Sequence, residues 1–136
     1  MIPTNDAHLV LGLEPLETIR NLKYISKQSI IILNTHKKYP RSVIIGSEKD
    51  KEYPSIDYIN KKISQFAGKV ISMDFNQISM NEFDNPLYSN TIILGVGIKY
   101  YDYIFSKNIL LNMMEEIFTD PNKNIQALEF GYNLID

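Results

Sequence analysis

Hydrophobic and polar positions alternate between two regimes along this chain. Leu9-Val10-Leu11 is a short continuous apolar run closed by Gly12, the pattern of a buried strand. Glu14-Pro15 follows, and proline is well tolerated in a first helical turn because its missing N–H would be unsatisfied there anyway. Leu16, Ile19 and Leu22 then recur at helical spacing. Ser29-Ile30-Ile31-Ile32-Leu33 is a β-branched run of the kind that forms a strand covered on both faces, and it ends at Asn34-Thr35. Strand, helix and strand in this order predict a βαβ unit with a right-handed crossover.

Residues 36–41 read as a polar loop containing Pro40, Ser42–Ile45 as another short strand closed by Gly46, and the run Ser47 to Glu52 as too polar to bury. Ser55 is placed as an N-cap, with Asp57 suited to the helix dipole, Gly68 as terminator and Ile56, Ile59, Ile63 and Phe66 as the apolar stripe between them. Lys69–Met73 is the next strand, ending at Asp74, and a short helix through Ile78 and Phe83 is expected after it. From Asn85-Pro86 onward the pattern is helical. Leu87–Ile98 is apolar nearly all round, with Gly95 and Gly97 allowing close packing. Ser106 caps a helix whose inward residues are expected to be Ile109, Leu110, Met113 and Ile117. Ile125, Leu128, Tyr132 and Ile135 mark a last helix after Pro121. The expected fold class is α/β: a partial Rossmann-like layer, mostly parallel, with about four strands and a helical C-terminal half. Residues 1–136 are read as a single domain. A buried-type strand so near the start of the chain also suggests that part of the sheet is supplied from elsewhere.

Composition narrows the chemistry. The chain has 136 residues, 44% of them hydrophobic, and a net charge of −2, so no overall basic field draws it to nucleic acid. It has no cysteine, which removes disulfides, thiolate nucleophiles and Cys-ligated zinc or iron–sulfur clusters. Two histidines, His8 and His36, flank the βαβ unit toward opposite ends of its strands and do not form one site. No secretory signal pattern opens the chain, and its apolar stretches are far shorter than a membrane span, so a cytoplasmic location is expected. Gly95-Val96-Gly97 lacks the third glycine of a dinucleotide fingerprint, since the third position after Gly97 is Tyr100. Neither a P-loop nor a nucleophile elbow is present. No catalytic residue and no metal ligand set is therefore expected.

What remains is the carboxyl end of the strands, where ligands of open parallel sheets bind. Gly12, Glu14, Asn34 and Thr35 gather there as a candidate cofactor- or ligand-binding cluster. Glu14 reads either as an acid near a ligand or as a helix-start carboxylate. Asn34-Thr35 either hydrogen-bonds a ligand or turns the chain.

The stretch Asp6-Ala7-His8-Leu9-Val10-Leu11-Gly12-Leu13-Glu14-Pro15-Leu16-Glu17-Thr18-Ile19-Arg20, the strand Ile30–Leu33 ending in Asn34-Thr35, the Tyr53-Pro54 pair and the later Asn90-Thr91 and Leu94-Gly95 together carry a resemblance. They resemble the gamma-type subunit of 2-oxoacid:ferredoxin oxidoreductases, most closely the indolepyruvate type. The resemblance covers almost the whole chain and looks like the C-terminal two-thirds of that subunit. The glycine-rich strand–turn–helix that usually opens the subunit has no counterpart before Asp6.

The resemblance implies a Rossmann-like, non-catalytic subunit or fragment. It would support oxidative decarboxylation of a 2-oxoacid, of indolepyruvate or pyruvate type, to an acyl-coenzyme A, with electrons passing to ferredoxin. Thiamine diphosphate, magnesium and iron–sulfur clusters would sit in larger partner subunits, and this chain alone would bind none of them. Two other readings stand beside it. One is a stand-alone module binding a nucleotide or acyl-coenzyme A. The other is a remnant without activity that self-associates as a homodimer through an open sheet edge.

Overall fold

The computed structural model describes residues 2–38, 53–119 and 121–135. The strand expected at Ser42–Ile45 and most of the charged segment after it lie outside these residues. The described elements are β1 (Ala7–Gly12), α1 (Pro15–Arg20), a 3-10 turn (Leu22–Tyr24), β2 (Ile25–Asn34), α2 (Ile56–Phe66), β3 (Lys69–Met73), α3 (Phe75–Phe83), a second 3-10 turn (Pro86–Tyr88), α4 (Ser89–Tyr100), α5 (Lys107–Ile117) and α6 (Asn122–Asn133). This is an α/β fold with a three-stranded parallel sheet in the order β1-β2-β3 and a mostly helical C-terminal half, as expected from the pattern. The chain divides into two compact units, Met1–Ser72 and Met73–Asp136.

In the first unit, one face of the sheet carries Val10, Ile31, Leu33 and Val70. It is covered by Ile19 and Leu22 from the α1 side and by Ile56, Ile59 and Ile63 of α2. Ser29, Ile31, Ile32, Leu33 and Asn34 are all buried, so β2 is closed in on both faces. The strand is longer than its apolar run, because it begins at Ile25 and takes in Ser26-Lys27-Gln28. The pairing of β1 with β2 shifts register between Ala7, opposite Ile25, and Leu9, opposite Ile30. Ser29 bridges that irregularity: its hydroxyl donates to the Ala7 carbonyl and accepts from the Ser26 N–H at 2.8 Å.

Helix α2 starts where expected, with the Ser55 hydroxyl accepting from the Tyr58 N–H at 3.2 Å. Two expectations at its other end need correction. Phe66 leaves the stripe and is exposed. Gly68 is not a left-handed terminator, since the helix ends at an Ala67 cap with φ −76°. Glycine stands at 68 because β2 passes against it: a Cβ there would lie 2.2 Å from the Lys27 carbonyl oxygen, and the Gly68 N–H donates to the Ser29 carbonyl at 3.0 Å.

In the second unit, Asp74 caps α3 by accepting from the Gln77 N–H at 2.9 Å, and α3 ends at Asp84 in the left-handed region, φ 51°. The expected apolar helix is α4, but Leu87 precedes it, exposed, in the 3-10 turn. α4 and α6 pack backbone to backbone through two glycines. A Cβ at Gly95 would meet the Leu128 carbonyl oxygen at 2.2 Å, and one at Gly131 would meet the Ile92 carbonyl oxygen at 2.1 Å. Thr91 Oγ1 donates to Asn124 Oδ1 across the same pair at 3.2 Å.

Helix α5 keeps Leu110 inward as expected, but the other three residues expected there are turned outward. Leu110 and Met114 face Ile98 and Leu128, whereas Ile109, Met113 and Ile117 are exposed. Both sets are spaced four residues apart, and the inward set is the one that meets the two core residues of α4 and α6.

Tyr101 is buried at the end of α4, its ring 5.9 Å from that of Tyr103. Burial, and secondarily the neighbouring Tyr103, raise its phenol above the ordinary value of 10.0. The fold therefore favours the neutral phenol. Its contribution to stability is full below the unfolded-state value and is lost as pH rises from there through the raised folded value. Alkaline melts should show Tyr101→Phe losing less stability across that window than the parent. Equal losses would show that this phenol does not drive the decline.

Candidate functional site

The strand-end residues are placed by the local chemistry of the β1–α1 corner. Glu14 is the N-cap of α1: its Oε2 accepts from the Glu17 N–H at 2.8 Å, and Pro15 takes the first helical position. The Thr18 side chain folds back, with Oγ1 donating to the Glu14 carbonyl at 2.9 Å. That brings Thr18 against the end of β1, where a Cβ at Gly12 would lie 2.5 Å from Thr18 Oγ1 and 3.0 Å from Leu33 Cδ1, so any larger residue would have to displace the Thr18 side chain from its bond to the Glu14 carbonyl. Gly12 pairs with Leu33 in the sheet, so Asn34 follows at the adjacent strand end. Asn34 is buried, and its Oδ1 accepts from the His36 N–H at 3.2 Å, which turns the chain after β2.

The structure brings together two stretches far apart in sequence. Tyr53 Oη donates to Glu14 Oε1, so both carboxylate oxygens of Glu14 are engaged, one by the helix start and one by the residue before Pro54. Lys37 Nζ stands 5.2 Å from the centre of the Tyr53 ring, a cation–π contact. The strand end is thus a bracket of carboxylate, phenol and ammonium. Sequence reasoning marked Glu14 and Tyr53 separately and missed the link between them, along with the parts played by Thr18 and Lys37. A shallow depression of 370 Å³ adjoins the bracket, lined by residues that include Val10, Gly12, Glu14, Thr18 and Asn21. Asn34 and Thr35 share the same end of the sheet but do not line it.

His8 does not flank the βαβ unit: it lies inside β1, at the register shift between Ala7 and Leu9, whereas His36 follows the end of β2 at Asn34, so the two stand toward opposite ends of parallel strands. Gly95 and Gly97 lie inside α4, away from any strand-to-helix turn. Among the described residues, no three of His, Asp and Glu converge as a metal site. Nor is any described helix long and apolar enough to cross a membrane.

Removing the phenol hydroxyl by Tyr53→Phe should cost about 1.5–3 kcal/mol, the range for a hydrogen bond to a charged group. Glu14→Ala should cost more, because it also uncaps α1. In the double variant the Tyr53→Phe effect should largely vanish, as measured by a double-mutant cycle in urea. Additive losses would show that the two side chains do not act as a pair.

Residues 1–134 match the family model described as pyruvate ferredoxin/flavodoxin oxidoreductase. The chain belongs to this family. Among curated members it is similar to the indolepyruvate oxidoreductase subunit IorB of Archaeoglobus fulgidus, 30% identical over 139 aligned residues covering 98% of this chain and 65% of the relative. It is also similar to IorB of Methanothermobacter thermautotrophicus, 29% identical over 97% of this chain and 66% of that protein. The family fold is seen in the crystal structure of pyruvate oxidoreductase subunit PORC from Thermotoga maritima. That structure superposes with a TM-score of 0.62 at 19% identity and covers 92% of this chain and 61% of that one. The chain therefore spans just under two thirds of the length of these family members. The motif-based resemblance to the gamma-type subunit, nearest the indolepyruvate type, is borne out.

Proposed function

We propose that this chain is a non-catalytic component of a cytoplasmic 2-oxoacid:ferredoxin oxidoreductase, acting on an indolepyruvate- or pyruvate-type substrate. In this reading it supports oxidative decarboxylation to an acyl-coenzyme A by packing against larger subunits. The observation that carries the reading is the family match along residues 1–134.

The geometry is consistent with it. Among the described residues β1 is one of the two edge strands of the sheet, and exposed edges are templates for further pairing. Along β1 lie the 370 Å³ depression and a second of 420 Å³ lined by residues that include Ile2, Leu9, Leu11 and Tyr24. The reading has the sheet continue across this edge onto structure from outside residues 1–136, and the Gly12–Glu14–Tyr53 bracket hold the neighbouring strand end in shape.

The iron–sulfur clusters of such an enzyme do not fit the donors of this chain. Iron–sulfur clusters are held by cysteine thiolates, and the chain has none. No acid and imidazole cluster suited to a metal occurs among the described residues. In this reading thiamine diphosphate, magnesium and the clusters belong to the partner subunits, together with the contacts to ferredoxin and coenzyme A.

Native mass spectrometry of the chain purified from its own host tests the proposal. Discrete assemblies with larger, cluster-bearing subunits are expected. A chain that purifies without them, and does not bind them when they are supplied, would overturn it.

A further inference from the structure

The net charge of −2 conceals a separation of charge along the chain. Met1–Ser72 holds 11 of the 14 lysines and arginines and 7 of the 16 acids, a net +4. Met73–Asp136 holds the other 3 basic residues and 9 acids, a net −6. Opposite signs on two units of one small chain direct a charged partner to one of them.

Within the first unit, α2 presents positive charge on its surface. Tyr58, Lys61, Lys62 and Gln65 line one depression of 250 Å³. Lys62 Nζ stands 5.8 Å from the centre of the Tyr58 ring, which is 51% exposed. Lys27 reaches the end of the same helix, its Nζ donating to the Ser64 and Ala67 carbonyls at 3.2 and 3.3 Å. The single acid on α2 is Asp57, four residues before Lys61. Among the described residues, neither Lys61 nor Lys62 forms an ion pair with it or with any other acid. Lys27 is taken up by the helix carbonyls, and the other two ammonium groups are left uncompensated by the fold.

The depression selects its occupant. It is smaller than the roughly 300 Å³ at which small-molecule pockets begin. Its groups suit one carboxylate side chain, with two ammonium donors and the Gln65 amide for the oxygens and the Tyr58 ring for the methylenes. A folded protein can present a single carboxylate in this way, and tyrosine is enriched in protein–protein interfaces. Nucleic acids and anionic membranes spread their charge over lengths far greater than one short helix. They would also meet the unit of net −6 carried by the same chain.

We infer that the outer face of α2 docks an acidic protein surface, with an Asp or Glu side chain of the partner entering the Tyr58–Lys61–Lys62–Gln65 depression. The inference rests on the proposed function in one respect, since it takes that surface to belong to one of the larger subunits.

Binding of the chain to larger subunits purified from its own host, followed by surface plasmon resonance at about 0.05 M and about 0.5 M salt, provides the test. Lys61→Glu should weaken binding about tenfold at low salt, mostly through slower association, and Lys61→Gln should weaken it less. Lys123→Glu, exposed on α6 of the acidic unit, changes the net charge by the same amount as Lys61→Glu and should shift binding by no more than about twofold. High salt should bring the variants together. Lys61 and Lys123 are exposed, so circular dichroism should stay unchanged in all three variants.

Equal weakening by Lys61→Glu and Lys123→Glu would overturn the inference, because overall charge alone would then account for the effect. Wild-type binding that survives Lys61→Glu at low salt would remove the docking face and leave the proposed function standing. A wild type that binds no larger subunit would remove both. Binding to single-stranded RNA or to phosphatidylserine vesicles that Lys61→Glu abolishes would assign the face to a polyanion and overturn the acidic-protein reading.

Discussion

Gly131→Ala should destabilise the helical unit by about 3 kcal/mol, the upper part of the usual range for overpacking. The added methyl would meet backbone: the Ile92 carbonyl oxygen at 2.1 Å and the Ile92 carbonyl carbon and Cα at 2.9 Å. No rotamer change relieves such a contact, so α4 and α6 must separate. Alanine is otherwise the better helix residue by about 1 kcal/mol, and the prediction is that sterics exceed this gain. Gly95 makes the reciprocal contact, 2.2 Å to the Leu128 carbonyl oxygen and 2.8 Å to the Tyr132 nitrogen. Its alanine variant should behave alike. Because the chain has no tryptophan, urea unfolding is best followed by far-ultraviolet circular dichroism and tyrosine fluorescence. An unchanged or raised midpoint for Gly131→Ala would show that the helices separate at little cost.

Ile63→Ala should cost about 3 kcal/mol, within the 2–5 kcal/mol spanned by large-to-small core substitutions. Ile63 is fully buried in the cluster formed by Ile25, Ile31, Leu33, Ile59 and Ala67, where α2 lies on the sheet. The loss combines the transfer of the deleted methyl and methylene groups with the cavity they leave, and a closed-in β2 limits how far that cavity can collapse. Phe66→Ala, on the same helix but exposed, should change the midpoint little. Comparable losses at the two positions would contradict the arrangement of α2 described above.

Expectation and structure agree where the signal is local. The Ser55 cap, Pro15 in a first turn and the Asp74 break each depend on bonds made within a few residues. The β-branched run at Ile30–Leu33 marked a doubly covered strand because burying it on one face alone would leave half of it in water. The start of β2 was hidden because Ser26-Lys27-Gln28 look like a loop and are held in the strand by the pairing around Ala7. Gly12 and Glu14 were singled out correctly as strand-end residues, but nothing in their own neighbourhood shows that Tyr53 closes on Glu14.

Sequence by itself determined the α/β class, the order of the described elements, the Ser55 cap and the exclusion of cysteine chemistry, whereas Ser106 stands at the start of α5 without a capping hydrogen bond. Those four features follow from periodicity, local hydrogen bonding and composition. Only the tertiary structure decided which ridge of α5 faces inward, why residues 68 and 131 must be glycine, and that a phenol completes the Glu14 bracket. Each of these depends on atoms brought close by packing from distant parts of the chain. Periodicity fixes how a helix is striped, and the neighbouring elements choose which stripe is buried.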